Sequence, residues 1–408
     1  MKQSAPLAKS QLGVYAECVQ HENEVFYNLP FLYVFDGSID ADRLCRAIEA
    51  TVQAHPTFFT RIELSDEGEP IQTIDMDEVS SFKLQVSSFT DLEAEKRKFI
   101  EPFKFYGGRL FHTKVMRDAE HVYWLFDMHH IISDGGSYHV IICDVETAYN
   151  GGTLAPEEMS MQEFALAEAE MRKTPAFEEG KQWYAQNFDC GDTFTQLLPD
   201  LEISEHSDAY MFRTLGIDMD RVDAFCKTNG IKKSTLFTSA YSFLLAKYNN
   251  EQESLFTTVF NGRTNPKFQH SVGMTVQTLP VYAKFTDDTT VLDFLKAGEE
   301  QMIGCRKHDI YAYTDIMSDL NLQSNSIFAW QGLLFDYTEL MGKPMKAIQL
   351  RKHNEDVPFY LMAYYIGKQY EIKAEYSSNL YSETLIAQFM ESYEAVLEGL
   401  LSQTLLRD

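Results

Sequence analysis

The sequence lacks the features of a secreted or membrane-spanning protein. No apolar run approaches the roughly 20 residues of a spanning helix, and the opening MKQSAPLAKSQLGVYAE has no long hydrophobic region of the signal-peptide type. The six cysteines lie far apart and form no CxxC pair, which argues against a disulfide framework or a zinc cluster. These absences predict a protein of the reducing cytoplasm.

Basic residues are also scarce. The chain has 35 Lys and Arg against 61 Asp and Glu, which gives a formal net charge of −26. Such a surface repels nucleic acid and anionic lipid, so we expect neither a nucleic acid nor a membrane as partner. An acidic protein partner would meet the same repulsion and would need a local basic or apolar patch for docking.

The length of 408 residues exceeds one ordinary core, so we expect two lobes. Strand-like and helix-like segments alternate, which indicates an α/β (α+β) protein. A charged stretch around Pro175 predicts the boundary, with lobes at 1–175 and 176–408. Pro30 suggests an edge strand or a bulge. We expect strands over 25–35, 121–128, 254–261 and, as a pair, 358–374, and helices over 38–54, 137–150, 236–248 and 382–401.

The stretch 128–137, MHHIISDGGS, holds the strongest candidate site. Three interpretations arise: a metal site, a structural cluster or a catalytic base. Neighbouring strand residues point to opposite faces, so His129, His130 and Asp134 would converge on a metal only after a sharp bend. The usual ligand spacing is also missing, and we therefore expect no metal. A lone histidine would by default be a core residue with satisfied nitrogens.

The surroundings of the pair favour chemistry. A buried strand delivers the histidines, a short turn follows, and a helix begins near Ser137, so one imidazole could act near neutral pH. Asp134 could cap the helix, orient the turn or pair with a distant arginine, while Gly135 and Gly136 permit close approach. No G-x-S-x-G elbow or activated cysteine accompanies them. This pattern favours direct transfer, in which an amine or hydroxyl attacks an acyl donor as a histidine takes its proton.

MHHIISDGGS resembles the HHxxxDG signature of condensation domains of nonribosomal peptide synthetases, within the chloramphenicol-acetyltransferase-like superfamily. The resemblance covers nearly the whole chain in family order. Two departures are Phe59, where the family usually has arginine, and Gln277, where it usually has asparagine. The other matching segments are PLAKSQLGVYAE (6–17), AHPTFFTRI (54–62), MQEFALAE (161–168), KQWYAQNF (181–188), NGRTNPKFQHSVGMTVQTLPV (261–281) and the tail 370–400.

The resemblance implies two lobes in a V with a central substrate tunnel, and a crossover segment at 261–281. It implies that His130 is the catalytic histidine, as base or as positioner of the amine. His129 belongs to the same motif in a structural role, Asp134 pairs with Arg263, and Gly135 lies where the reacting groups meet. The structural and tunnel-lining set comprises Arg263, Ser133, Trp330 and Gln331, with core packing the more ordinary role for the tryptophan.

The resemblance further implies an acyltransferase that forms amide bonds between substrates tethered to the phosphopantetheine of donor and acceptor carrier proteins, or delivered as acyl-CoA. The chain would hold no cofactor itself, and an adjacent adenylation domain is expected if it is part of a synthetase. The family-like segment begins near Met1, which would suit an N-terminal starter domain. The alternatives are a free-standing acyl-CoA-dependent O- or N-acyltransferase and an inactive interaction domain. Intact His130, Asp134 and Gly135 count against the last.

Overall fold

The structure is a computed structural model that describes residues 2–21, 24–191, 193–202, 208–322, 324–332, 339–350 and 358–407. None of the helices in these ranges has the length and apolar character of a membrane span. The elements in chain order are β1 (Lys2–Pro6), α1 (Lys9–Gln20), β2 (Phe31–Asp36), α2 (Ala41–Ala54), β3 (Thr60–Leu64), β4 (Pro70–Asp75), α3 (Met76–Ser81), β5 (Val86–Ser87), α4 (Leu92–Phe99), β6 (Phe111–Arg117), β7 (His121–Met128), α5 (Gly135–Tyr149), α6 (Met161–Met171), α7 (Pro175–Asn187), β8 (Asp208–Thr214), α8 (Met219–Asn229), α9 (Lys233–Tyr248), β9 (Glu253–Phe260), β10 (Gln277–Lys284), α10 (Val291–Lys307), α11 (Tyr313–Leu320), β11 (Ser326–Gly332), β12 (Glu339–Leu340), β13 (Lys343–Gln349), β14 (Phe359–Ile366), β15 (Gln369–Ser377) and α12 (Glu383–Ser402).

Most predicted segments are confirmed as elements. The strand predicted over 121–128 is β7, and the helix predicted to end near Ala54 is α2, whose N-cap Asp40 accepts a hydrogen bond from Arg43 N at 2.9 Å. The edge position suggested by Pro30 is wrong. β2 begins one residue after Pro30 and pairs with β13 on one side and β7 on the other. The proline therefore precedes the strand and costs the ladder no N–H donor.

The chain forms two compact units. The first comprises Met1–Met171, Asn261–Val276 and Tyr337–Lys352, and the second comprises Arg172–Phe260, Gln277–Asp336 and His353–Asp408. The sequence predicted a single division near residue 175. The units differ from it because two later segments return to the first unit, one of which contains β13, the antiparallel partner of β2.

The first unit is built around β7. In the described residues, a six-stranded sheet has the order β12-β13-β2-β7-β6-β5, and a three-stranded sheet has the order β1-β4-β3. Side chains of β7 alternate between two hydrophobic clusters, with Trp124 and Phe126 in the larger one and Tyr123 and Leu125 in the smaller. Both faces of β7 are buried, so a shift of its register by one residue would move every side chain into the wrong cluster. This fixes the position at which the strand ends.

The second unit has one mixed sheet in the described residues, in the order β10-β9-β11-β14-β15-β8. β11 runs parallel to both β9 and β14, and the remaining neighbours are antiparallel. Helices α9 and α12 contribute to its core, where Tyr241 of α9 stacks on Phe328 of β11 and meets Phe389 of α12 edge-on. This unit carries Trp330 and Gln331.

Candidate active site

The histidine pair lies where β7 ends. His129 forms an isolated antiparallel bridge with Asn28, and a single 3-10 turn over His130–Ile132 follows at once. Ser133 is fully buried and closes this turn, because its hydroxyl donates to His129 O at 3.1 Å and its N–H donates to His130 O at 3.2 Å. α5 begins two residues later at Gly135, slightly before the predicted start near Ser137. The end of β7, the 3-10 turn and the start of α5 therefore fix the backbone of the motif.

His129 points into the interior of the first unit. Its Nδ1 accepts a hydrogen bond from Ile131 N at 3.1 Å, which places the ring proton on Nε2, 3.6 Å from Cys18 Sγ. Burial, followed by the nearby His130, lowers the pKa of His129 to about 3. A neutral imidazole with both nitrogens engaged supports the structural role that the resemblance implies.

His130 is held differently. It is half-buried, and its backbone N–H donates to Tyr27 O at 2.7 Å. The Tyr27 ring stands edge-on to the His130 ring with 6.2 Å between centroids. The backbone of His130 is thus fixed by the segment that precedes β2, while its side chain is the more exposed of the pair.

Asp134 and Arg263 form a buried ion pair within the first unit. Arg263 Nη2 lies 2.8 Å from Asp134 Oδ1, and the two side chains are 8% and 0% exposed. The other carboxylate oxygen accepts hydrogen bonds from Thr275 N at 3.0 Å and Thr275 Oγ1 at 3.1 Å. Burial alone would raise the pKa of Asp134, but Arg263 and the donated hydrogen bonds outweigh burial and hold it below its usual value. The carboxylate is therefore charged and fully engaged.

Asp134 also caps α5. Its Oδ1 accepts hydrogen bonds from Ser137 N at 2.7 Å and Ser137 Oγ at 2.9 Å. The Arg263 guanidinium reaches Ser137 Oγ at 3.0 Å and donates to Ser271 O at 2.7 Å. Of the roles considered from sequence, capping the helix and pairing with an arginine both occur here. The aspartate shapes the turn that presents His130.

Two glycines make room for this pair. A Cβ on Gly136 would collide with Arg263 Nε, and a Cβ on Gly262 would collide with the carbonyl oxygen of Thr275. Gly262 also has φ of 61°, in the left-handed region that favours glycine. The sequence predicts that Gly136 permits close approach of backbone or ligand, and the group that lies against it is the Arg263 side chain. Gly135 is half-buried as the first residue of α5, and its predicted contact with reacting groups stays a prediction.

A second charged cluster supports the segment that carries Arg263. His55 is fully buried, with Nδ1 at 2.6 Å from Glu157 Oε1 and Nε2 at 2.7 Å from Asp144 Oδ2. Burial would lower the pKa of His55, but the two carboxylates raise it to about 9. Glu157 Oε1 also accepts from Val272 N at 3.0 Å. An imidazolium thus links α2, α5 and the segment 261–276.

Some of these residues are predictable from the sequence, and others are not. Gln11 was matched only as part of the opening segment, yet it is fully buried and its amide donates to Ile131 O at 2.8 Å. Ser137 had a detectable signal, since Asp-x-x-Ser at 134–137 is a helix-capping pattern. Thr275 had no signal in the sequence, because its contact with Asp134 spans 141 positions.

Trp330 and Gln331 lie in the second unit. Trp330 is partly buried and packs against that unit's core, with ring centroids 4.5 Å from Phe237 and 6.1 Å from Tyr370. Gln331 stands at the register irregularity between Trp330 and Gly332 in β11. Packing explains the tryptophan, and the tunnel-lining role of both residues stays a prediction.

These mixed α/β units have the chloramphenicol-acetyltransferase-like fold of solved condensation domains. The condensation domain of Monacolin K polyketide synthase MokA matches with a TM-score of 0.83 and 16% identity, over 99% of this chain and 98% of that chain. At that identity the likeness concerns the fold. A family model described as Condensation domain matches residues 1–407, and the chain belongs to this family. Condensation domains catalyse amide-bond formation.

Curated relatives are much longer than this chain. It is 24% identical over 392 residues to bacitracin synthase 3 of Bacillus licheniformis, a match that covers 93% of this chain and 6% of that protein. It is 23% identical over 402 residues to gramicidin S synthase 2 of Brevibacillus brevis, a match that covers 92% of this chain and 9% of that protein. The chain thus spans less than a tenth of the length of these relatives.

Proposed function

We propose that the chain acts in nonribosomal peptide synthesis and joins an acyl thioester to the amine of an aminoacyl group. The observation that carries the proposal is the complete HHxxxDG turn, at the end of a buried strand, in a chain whose family match spans residues 1–407. The acceptor amine attacks the thioester carbonyl, a C–N bond forms and the C–S bond breaks. The amine loses one proton, and the thiol leaves with one. No metal and no electron transfer is needed.

His130 is the proposed catalytic residue. His129 has both ring nitrogens engaged inside the unit, and Asp134 is committed to Arg263, Ser137 and Thr275. His130 is the half-buried member of the motif. As a base it would accept the amine proton during attack, and as a positioner it would accept a hydrogen bond from the amine without taking the proton.

His130→Gln separates these two roles. Glutamine retains a hydrogen-bond acceptor but cannot act as a base at neutral pH. If the imidazole is the base, we expect this variant to lose about 10²- to 10⁴-fold in rate. If it only positions the amine, His130→Gln keeps most of the activity that His130→Ala loses.

We further propose that both substrates arrive on phosphopantetheine arms of carrier proteins, the donor alternatively as acyl-CoA. The names of the relatives, which are peptide synthases, support this. An adenylation domain would load the acceptor carrier. With a net charge of −26, the chain would dock an acidic carrier through a local basic or apolar patch rather than through long-range attraction.

The test supplies the 408-residue chain with a panel of acyl-CoA and acyl-carrier donors and aminoacyl-carrier acceptors, and detects the amide product by mass. The matched control for His130→Ala is His121→Ala, at the opposite end of β7. We expect product with the wild type and His121→Ala, and a loss of at least about 100-fold with His130→Ala. Product at the wild-type rate with His130→Ala contradicts the role of His130. No product across the whole panel contradicts the function.

A further inference from the structure

Asp127 is a buried carboxylate that the proposed chemistry does not use. It lies in β7, two residues before His129, and is fully buried. Its Oδ2 accepts a hydrogen bond from Asn28 Nδ2 at 2.8 Å, and its Oδ1 accepts one from Leu29 N at 2.9 Å. Both donors belong to the segment that precedes β2. A carboxylate in this position is costly to bury, and these hydrogen bonds compensate the cost.

The segment held by Asp127 is the one that holds His130. Asn28 is bridged to His129, and the carbonyl oxygen of Tyr27 accepts the His130 N–H at 2.7 Å. A path of direct contacts therefore runs from the Asp127 carboxylate, through Asn28, to the backbone and ring edge beside His130. Asn28 is further anchored where its amide donates to Glu101 O at 3.0 Å.

Polar groups from two other elements, β6 and α5, lie near Asp127. His112 of β6 places Nε2 3.7 Å from Asp127 Oδ2, but this nitrogen donates to Phe99 O at 2.7 Å. Tyr138 of α5 donates its hydroxyl proton to Leu29 O, on the same segment. Burial raises the pKa of Asp127 to about 7, and the hydrogen bonds from Asn28, Leu29 and Met128 oppose this rise. For Asp127, burial therefore outweighs the hydrogen bonds that favour the charged form.

We propose that Asp127 is a positioning residue that fixes His130 through Asn28 and Tyr27. The proposal rests on the function proposed for His130, and goes beyond it by assigning a role to a residue outside HHxxxDG. Loss of the carboxylate would let residues 27–29 shift and would turn or loosen the His130 imidazole, while β7 itself remains paired with β2 and β6.

The test follows the His130 imidazole directly by NMR of the histidine-labelled chain, with its signals assigned by His130→Gln. The test variant is Asp127→Asn, which keeps the size of the side chain but places an amide against the Asn28 amide. The control is Asp118→Asn, which removes a carboxylate from the other end of the same β6–β7 hairpin, where Asp118 accepts from Glu120 N and His121 N at 2.8 Å. We expect His130 signals and their pH titration to move in Asp127→Asn and to stay unchanged in Asp118→Asn.

A rescue variant separates positioning from general loss of stability. Combining Asn28→Asp with Asp127→Asn exchanges donor and acceptor across this contact but removes the donor to Glu101 O, so we expect His130 signals to return part of the way toward the wild type. In the amide-forming assay, Asp127→Asn should lower kcat by about tenfold and change KM by less than about twofold. Unchanged His130 signals and titration in folded Asp127→Asn overturn the proposal.

Failure of the positioning role can be told apart from failure of the proposed function. If His130→Ala retains full activity while Asp127→Asn still displaces the His130 signals, the function assigned to His130 fails and the positioning contact stands. If His130→Ala is inactive and Asp127→Asn leaves the His130 signals and kcat unchanged, the function stands and the positioning role fails.

Discussion

Arg263 and Asp134 lie 129 positions apart in the chain, and their side chains meet at 2.8 Å with almost no exposure to solvent. The pair joins the turn after His130 to the segment 261–276. Because a buried charge without its partner is strongly unfavourable, the two residues depend on each other.

We expect Arg263→Ala to lower the free energy of unfolding by about 3–5 kcal/mol, because it leaves the Asp134 carboxylate buried without a counter-charge. Chemical denaturation measures this change. The control is Arg221→Ala, which breaks a half-exposed pair with Glu398 (2.6 Å) and should cost less than about 1 kcal/mol. Equal effects of the two variants would contradict the buried character of the Asp134 pair.

Gly136→Ala should destabilise the chain, because the new methyl group collides with Arg263 Nε in a packed interior. We expect a loss of about 1–3 kcal/mol in the free energy of unfolding. Gly13→Ala is the matched control, since Gly13 lies within α1 with no atom near its Cβ position. That change should stabilise by roughly 0.5–1 kcal/mol, because alanine favours a helix. Thermal melts of the two variants should therefore move in opposite directions.

The His55 cluster predicts a pH dependence of stability. The pKa of the His55 imidazole is about 9 in the folded chain, against an ordinary value of 6.5. The folded state therefore binds the proton more tightly, so the contribution is complete below about pH 6.5 and is lost as the pH rises through 9. We expect this loss, at most about 3 kcal/mol, in denaturation curves between pH 6 and 10. In His55→Gln that part of the pH dependence should disappear. A variant curve parallel to the wild type would count against the charged imidazole.

Gln11→Met should destabilise the motif turn. The substitution removes the donor to Ile131 O (2.8 Å) and the acceptor of Ala8 N (2.8 Å) at similar side-chain size. The substitution leaves two buried groups without partners at about 1–3 kcal/mol each, so the free energy of unfolding should fall by about 2–6 kcal/mol. Gln182→Met removes a glutamine from the exposed face of α7 and should change the unfolding midpoint little. Equal midpoints for the two variants would show that the buried contacts contribute nothing.

Local patterns predicted several elements of the fold, including the strand that delivers the histidine pair. The unbroken apolar run 121–128 predicted β7, and periodicity predicted α2 and α12, because each pattern is contained within one segment. The resemblance supplied Asp134 and Arg263 as a candidate pair, and the structure brings them together. Thr275, Gly262 and Asp127 were not found, because their roles depend on contacts between distant segments. The central position of β2 was missed for the same reason.

The pairing of β13 with β2 has a consequence for synthesis of the chain. Roughly 300 residues separate the two strands. At a synthesis rate of about 5–20 residues per second, the outer edge of β2 stays unpaired for on the order of 15–60 s until β13 is made. Hydrogen-bond donors and acceptors along an uncovered edge invite pairing with another chain. The emerging first unit therefore passes through a period in which it is open to aggregation, and it closes only after most of the second unit has left the ribosome.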